Sequence, residues 1–236
     1  MNKTAIVFGA TGLVGSELLY QLIKDIRYSA IRVFTRRELH IEHIKVIENV
    51  VDVENPGSYG ELIKGDDLFI CLGTTRRKAG SLEKMEEIDR DLPVEIARIA
   101  LLNGVKNLAL VSSIGASASS GNYYYRIKGE MEEKISSLGF NRKLVLRPSI
   151  LLGKRRETRI FESIGKCLVK TFTFALRGKN RKFRGIKASD VAWVMVKEIN
   201  NVNGKELYES DEIEAMRRQR DEGERQKEKE KKAKEA

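Results

Sequence analysis

A glycine-rich loop near the N-terminus constrains the fold of this chain more than any other sequence feature. The run from Thr4 to Phe8 is short and apolar and stops at a glycine, as buried parallel strands often do. After the loop, apolar residues recur at helical spacing, at Leu18, Leu19, Leu22 and Ile23. A tight turn that joins a strand to a helix in this way is typical of parallel α/β sheets.

The loop itself reads Gly9-Ala10-Thr11-Gly12-Leu13-Val14-Gly15. Gly9 permits a tight exit from the strand, Gly12 lets the backbone approach a pyrophosphate closely, and Gly15 lets the helix pack against the sheet. The free N–H groups and the positive dipole end of the following helix attract phosphate groups. The loop therefore predicts a dinucleotide-binding site.

Strand-like and helix-like segments alternate along most of the remaining chain. Apolar runs predict strands at 30–34, 44–51, 67–72, 108–112 and 144–146, and helical spacing predicts helices at 82–102, 124–138 and 188–199. This alternation predicts one α/β domain over residues 1–212, a Rossmann-type doubly wound parallel sheet with helices on both faces. The length of 236 residues suits one such domain with a short C-terminal extension.

The C-terminal segment has a different composition. Residues 211–236 hold nine acidic and nine basic side chains, and almost no apolar residue follows Glu214. We therefore predict a charged helical or disordered tail over 213–236. The net charge of +10 then belongs to the preceding domain, where it favours anions such as phosphate-bearing cofactors. Because no stacking aromatics interrupt the basic clusters, we expect no nucleic-acid partner.

Other sequence features restrict the location and the chemistry. No apolar run approaches the roughly 20 residues that a membrane-spanning helix needs. The N-terminus leads into a strand rather than a signal-peptide core, so we expect a cytoplasmic protein without a membrane span. Cys71 and Cys167 are far apart in the sequence, and His40 and His43 are without the further histidine and carboxylate ligands that a metal site needs. We therefore predict no metal site.

The end of the second predicted strand indicates which cofactor is preferred. It reads Thr35-Arg36-Arg37, where sites that prefer NAD usually place an acidic residue against the ribose 2′-hydroxyl. Guanidinium groups instead suit a 2′-phosphate through charge-assisted hydrogen bonds. We therefore predict NADP(H) as the cofactor. Leu72-Gly73-Thr74, after another strand, would let the backbone approach it at the sheet edge where ligands bind.

A second group of residues is typical of carbonyl reduction. Ser112 and Ser113 end a predicted strand, and Tyr124 lies one helical turn before Lys128, on the same helix face. In a redox site the lysine favours phenol ionisation, a serine hydroxyl orients the carbonyl, and the tyrosine delivers the proton. Tyr123 and Tyr125 have no lysine four residues later, so Tyr124 is the predicted acid; the two serines are not separated.

These residues resemble those of a known family, the atypical short-chain dehydrogenase/reductases, and within it the oxidoreductase-like proteins related to the vertebrate Tat-interacting protein. The likeness covers about residues 4–212. It rests on several motifs: Phe8-Gly9-Ala10-Thr11-Gly12, Thr35-Arg36-Arg37, Val51-Asp52, Cys71-Leu72-Gly73-Thr74-Thr75-Arg76, Lys78-Ala79-Gly80, Asp89-Arg90-Asp91, Ser112-Ser113, Tyr124 with Lys128-Gly129-Glu130, and Arg147-Pro148. Ser149 departs from the glycine that the family often has after Arg-Pro.

The resemblance implies a role for each part of the site. Thr11 to Val14 would contact the pyrophosphate, Tyr124 and Lys128 would lie beside the nicotinamide ribose, and Leu151 and Arg159 would close over the cofactor. The full expected cofactor-binding set is Gly9, Thr11, Gly12, Leu13, Val14, Gly15, Thr35, Arg36, Arg37, Asp52, Leu72, Gly73, Thr74, Tyr124, Lys128, Leu151 and Arg159.

Three functions are compatible with this reading. The first is an NADPH-dependent reductase of a small carbonyl compound. The second is an NADPH-sensing regulatory protein that controls a protein partner and turns over little. The third, a sugar-nucleotide epimerase, usually needs a larger C-terminal domain. Apolar residues at helical spacing over 160–176 predict a helix. This helix either packs in the core or serves as a lid or a dimer contact, so a homodimer is one of the alternatives that the sequence allows.

Overall fold

The computed structural model of the chain describes residues 2–153 and 184–234. The predicted helix at 160–176, the predicted cofactor contact of Arg159 and the thiol of Cys167 therefore lie outside the described residues.

The described strands form a parallel sheet, as the alternating pattern predicts. The strands are β1 (Lys3–Phe8), β2 (Tyr28–Thr35), β3 (Val46–Val50), β4 (Asp67–Ile70), β5 (Asn107–Val111), β6 (Arg142–Arg147), β7 (Leu151–Leu152), β8 (Ile186–Lys187) and β9 (Leu207–Glu209). Within the described ranges, seven of them pair in the order β3-β2-β1-β4-β5-β6-β9, every pair parallel. The short strands β7 and β8 pair separately. The predicted doubly wound sheet is confirmed.

Helices cover both faces of this sheet. They are α1 (Leu13–Lys24), α2 (Arg76–Ala79), α3 (Leu82–Glu86), α4 (Leu92–Leu102), α5 (Tyr123–Ser136), α6 (Ala188–Glu198) and α7 (Ser210–Lys234). Apolar residues of α1 and α6 pack on one face of the sheet, and those of α4 and α5 pack on the other. The two resulting cores bury the alternate side chains of the central strands, as expected for strands covered on both faces.

The helix predicted over 82–102 contains an irregular turn. α3 and α4 are joined without a break by a π-helical turn, Glu87–Asp91. Pro93 follows this turn and has no N–H to donate to the carbonyl of Asp89 four residues earlier. The missing bond favours the wider turn, a feature that often accompanies functional sites.

The strand order reverses between β1 and β4. From β1 the chain builds outward through β2 and β3, and it then crosses over so that β4 pairs with the other side of β1. In such sheets the crevice beyond the carboxyl ends of the two central strands is the ligand-binding edge. Gly9 follows β1 and Cys71 follows β4, so the glycine loop lies at this crevice.

The first turns of α7 are part of the folded domain. Ile213 is fully buried, and Met216 packs on the core that contains α6. Arg217 and Arg220 lie 3.7 and 3.5 Å from the Asp190 carboxylate of α6. Burial raises the pKa of Asp190, and the two guanidinium groups oppose this shift. We propose that the domain ends near residue 221, some eight residues beyond the boundary expected from composition.

Two C-terminal deletions test this boundary. Removing residues 222–236 should change the melting temperature by less than about 2 °C, because these residues offer little apolar surface. Removing 214–236 should lower it by about 4 °C or more, because the apolar packing of Met216 and the two cations that contact Asp190 are then lost. Differential scanning calorimetry of both truncated chains provides the measurement. Equal melting temperatures would contradict the extended boundary.

Candidate functional site

The glycine loop forms a close-packed cradle at the sheet edge. Gly9 has a φ of +86°, and a Cβ on it would lie 2.5 Å from the carbonyl oxygen of Cys71. A Cβ on Gly15 would lie well inside 3.0 Å of the Gly9 carbonyl oxygen. The Gly12 N–H donates to that same oxygen at 2.9 Å and turns the chain into α1. The expected tight turn and close packing are therefore present.

The N-terminus of α1 has free donors. In the described part of the chain no side chain caps it, and the backbone N–H groups of Leu13, Val14 and Gly15 have no partner. This is the donor set that a pyrophosphate requires. The cradle therefore fits a dinucleotide cofactor. Thr11 is exposed at its rim.

The loop after β7 approaches the same end of α1. A Cβ on Gly153 would lie 3.0 Å from the side chain of Leu13. Leu151 is half-buried and packs against the apolar core to which Val14 belongs. The structure thus brings Leu151 to the α1 side of the sheet. Ser149, the departure from the family pattern, donates its hydroxyl to the Arg184 carbonyl, and its N–H donates to the Ser210 hydroxyl at 2.6 Å.

The predicted 2′-phosphate residues follow β2 at the surface. The buried Thr35 hydroxyl donates to the Arg37 carbonyl at 2.7 Å and so shapes the turn. The Arg36 side chain is 76% exposed, and its guanidinium lies 3.8 Å from Glu54. Asp52, after β3, is exposed and accepts the Glu54 N–H at 3.3 Å. Arg36 is therefore accessible to an anion at the carboxyl end of β2.

The three consecutive tyrosines at the start of α5 have different surroundings. The Tyr123 hydroxyl donates to the Glu86 carboxylate, and this bond raises the pKa of Tyr123 above its ordinary value. The Tyr125 ring packs over Gly115, where a Cβ would lie 3.6 Å from it. The Tyr124 hydroxyl makes no hydrogen bond to any described residue. The phenols of Tyr124 and Tyr125 both lack a hydrogen-bond partner among the described residues, and Tyr124 is the one that lies four residues before Lys128.

Lys128 lies one turn after Tyr124 and is buried. Its Nζ is 2.7 Å from Oδ1 of Asp89, which comes from the π-helical turn and is itself fully buried. The other Asp89 oxygen accepts the Thr74 N–H at 3.0 Å, and a Cβ on Gly73 would lie 3.4 Å from Oδ1. Asp89 thus joins the predicted cofactor loop after β4 to Lys128.

Asp89 was not among the site residues expected from the sequence. Two signals pointed toward it: its place in the Asp89-Arg90-Asp91 motif and the proline four residues later. Neither signal could reveal its partner, because Lys128 is 39 positions away in the sequence. The pairing follows from the packing of α5 against the π-helical turn.

The two candidate serines differ in environment. The Ser112 side-chain oxygen is buried and has no hydrogen-bond partner among the described residues. Ser113 is half-buried, and its hydroxyl donates to the Ile114 carbonyl at 3.3 Å, a long bond that is easily exchanged. The accessible hydroxyl is therefore that of Ser113. The unpaired Ser112 oxygen is the kind of buried polar atom that functional sites contain.

Gly129 fixes the position of α5 against the serine loop. A Cβ on Gly129 would lie well inside 3.0 Å of backbone atoms of Ser117 and Ala118. The Tyr125 carbonyl also accepts the Ser117 N–H at 3.0 Å. Helix and loop are therefore in direct backbone contact, which fixes α5, with Tyr124 and Lys128, against the loop that follows β5. A glycine inside a predicted helix is the sequence signal for such a close approach.

Among the described residues, no helix combines the length and the apolar composition needed to cross a membrane.

Comparison with known proteins agrees with this geometry. A family model described as NAD(P)H-binding matches residues 9–201. The chain is 34% identical over 202 residues to Protein FMP52, mitochondrial, of Candida glabrata, which covers 80% of this chain and 85% of that protein. It is 39% identical over 162 residues to Protein HTATIP2 of Rattus norvegicus, which covers 67% of this chain and 66% of that protein.

A solved structure shares the fold. The Bordetella bronchiseptica enzyme WbmG, in complex with NAD, superimposes with a TM-score of 0.65 at 12% identity, covering 88% of this chain and 72% of that one. At this identity the likeness concerns the fold only. The family model and the two relatives show that the chain belongs to the NAD(P)H-binding atypical short-chain dehydrogenase/reductases, in the group that contains HTATIP2.

Proposed function

We propose that this protein is an NADPH-dependent reductase of a small carbonyl compound. One observation carries the proposal: the Tyr124 hydroxyl is without a partner in the described structure and lies one helical turn before a buried lysine. The same helix is held against the loop that carries Ser113. A free phenol, an ammonium and a serine hydroxyl are the groups that carbonyl reduction requires.

The residues that would hold the cofactor follow from the cradle. The free N–H groups at the start of α1 would bind the pyrophosphate, and Arg36 and Arg37 would bind the 2′-phosphate. Gly73 brings the loop after β4 close to Lys128, with a Cβ on it 4.0 Å from Nζ, and the nicotinamide half would bind beside this loop. Once bound, NADPH supplies the hydride that reduces the carbonyl carbon.

The chain's own residues supply the proton and the orientation. Ser113 donates a hydrogen bond to the carbonyl oxygen and aligns it. Tyr124 then protonates that oxygen as negative charge develops on it. The Lys128 ammonium stabilises the phenolate that remains on Tyr124. Tyr123 cannot take this role in the same position, since its hydroxyl is already bound to Glu86.

The cofactor preference is testable at Arg36 and Arg37. The unmodified protein should bind NADPH more tightly than NADH, and replacing both arginines by alanine should weaken NADPH binding by at least tenfold without a matching loss for NADH. Charge-assisted hydrogen bonds of this kind are worth about 1.5–3 kcal/mol each. Isothermal titration with each cofactor gives both affinities.

Arg98→Ala provides the control, since Arg98 is an exposed arginine on α4. It should leave both affinities unchanged. If the unmodified protein bound NADPH and NADH equally, the assignment of the arginines to a 2′-phosphate would be wrong.

The reductase activity itself is tested with a panel of small aldehydes and ketones, following NADPH oxidation. Turnover that depends on Tyr124 supports the proposal. Tight NADPH binding without turnover on any compound would instead favour the second hypothesis, an NADPH sensor that controls a protein partner.

The proposal also covers the cellular compartment of the protein. We propose a cytoplasmic protein, whereas the FMP52 relatives carry the word mitochondrial in their names. Imaging of the tagged chain against a mitochondrial marker distinguishes the two compartments.

A further inference from the structure

We infer that Asp89 is a positioning residue for the proposed reduction, because it keeps Lys128 charged and holds its ammonium beside the cofactor loop. This inference rests on the proposed function for its catalytic consequence. The contact that carries it is independent of that function: the buried Lys128 Nζ lies 2.7 Å from the fully buried Asp89 carboxylate.

A buried ammonium is costly unless a counter-ion accompanies it. Without one, a buried lysine releases its proton at lower pH, since burial disfavours the charged form. Asp89 offers that counter-charge from a side chain with no exposure at all. Its Oδ1 lies close to Nζ without the geometry of a hydrogen bond to any described residue, so the attraction to Lys128 is chiefly that of opposite charges.

The other charged groups on the elements packed around Lys128 contact residues other than Lys128. Arg90 contacts three carboxylates, those of Glu86, Asp91 and Glu130. Arg126 lies 3.7 Å from Glu130. Burial raises the pKa of the Cys71 thiol to about 12, so it carries no charge near neutral pH. The remaining titratable group one turn from Lys128 on the same helix is Tyr124. Within the described residues, Asp89 is thus the carboxylate that meets Lys128.

The second oxygen of Asp89 links this charge to the cofactor loop. It accepts the Thr74 N–H at 3.0 Å, next to Gly73, whose Cβ would lie 4.0 Å from the Lys128 Nζ. One carboxylate therefore sets both the loop after β4 and the ammonium on α5. Asp89 belongs to the π-helical turn, which places its buried side chain between the loop after β4 and helix α5. Asp89 can therefore contact both.

Asp89→Asn separates charge from shape. The amide keeps the size of the side chain and an oxygen acceptor for Thr74, but it removes the negative charge. We expect the Lys128 side-chain resonance to titrate at a pH lower by one unit or more than in the unmodified protein. NMR of Cε-labelled lysine gives this titration, and the signal missing from Lys128→Arg identifies Lys128.

The pH dependence of kcat should shift in the same direction as the Lys128 titration. In Asp89→Asn the alkaline limb of the pH–kcat profile should shift down by one unit or more, while kcat at low pH changes less. A residue that only supported the fold would not move this limb. NADPH affinity should fall with rising pH in the variant and not in the unmodified protein.

Asp91→Asn is the matched control. Asp91 lies two residues further on in the same turn, is half-buried and contacts Arg90 rather than Lys128. It should leave the Lys128 titration unchanged. If Asp89→Asn and Asp91→Asn gave the same Lys128 titration as the unmodified protein, the inference would be overturned, whether or not the protein turns over.

A double variant covers the case in which Asp89→Asn folds poorly. Adding Lys128→Met removes the second charge, and breaking a buried pair is more costly than removing both partners. The double variant should therefore melt at a higher temperature than Asp89→Asn. A melting temperature no higher than that of Asp89→Asn would show that Lys128 is not stranded by loss of the carboxylate, and the inference would fail.

Discussion

Replacing Tyr124 by phenylalanine is expected to lower turnover by about 10²–10⁴-fold while NADPH still binds, the range typical of a lost general acid. The substitution removes one hydroxyl, which bonds to no described residue, so the described part of the fold loses no hydrogen bond. The measurement is kcat on a carbonyl substrate found in the panel, together with the NADPH affinity by titration. Undiminished turnover in Tyr124→Phe would contradict the assignment.

The neighbouring tyrosines are the matched controls. Tyr123→Phe breaks the hydrogen bonds to Glu86 and to the Leu82 carbonyl, and Tyr125→Phe keeps the ring that packs over Gly115. Successive helix residues point about 100° apart, so around the helix axis Tyr124 lies about 40° from Lys128, Tyr125 about 60° on the other side and Tyr123 about 140°. Tyr124 therefore has the smallest angular separation from Lys128, and the ring of Tyr125 is held against Gly115. Both variants should reduce kcat by less than about tenfold. A comparable loss in all three would mean that the effect comes from the helix rather than from one proton donor.

Gly129→Ala is expected to lower the free energy of unfolding by about 2–3 kcal/mol and the melting temperature by about 4–10 °C. Helix propensity taken by itself predicts the opposite sign, since alanine stabilises a helix interior by about 1 kcal/mol over glycine. The difference arises because a Cβ on Gly129 would overlap backbone atoms of Ser117 and Ala118, which cannot rotate away. Chemical denaturation and thermal melting check the sign.

Two other glycines show whether the steric argument is correct. Gly223 lies within α7, and Gly139 lies after α5; no described atom would lie within 4 Å of a Cβ on either. Gly223→Ala should be neutral or stabilising, and Gly139→Ala should be close to neutral. A stabilised Gly129→Ala would show that the helix and the serine loop are not in close backbone contact.

Local patterns were enough to predict the architecture. The apolar run before Gly9, the helical spacing after Gly15 and the later alternation of strands and helices depend on short-range periodicity, which the sequence contains directly. The predicted strands and helices agree with the described ones to within a few residues at most ends. The short strand β9 was not predicted, because three residues that pair only with the edge of β6 carry too little periodicity.

Some site features also follow from spacing. Tyr124 and Lys128 share a helix face because four residues make about one turn, so their proximity needs no tertiary information. The same holds for the glycine loop, whose turn, helix start and close packing come from adjacent residues. The position of Arg36 after β2 is equally local, although its contact with Glu54 is not.

The sequence by itself therefore determined the parallel sheet, the glycine cradle and the tyrosine–lysine pair, because each depends on residues within one or two turns of each other. Tertiary structure decided what surrounds them: the Asp89–Lys128 ion pair, the bond of Tyr123 to Glu86, the contact of Gly129 with the serine loop and the docking of α7 on Asp190. These contacts join residues far apart in the chain. Their strength depends on burial, which exists only once the helices have packed on the sheet.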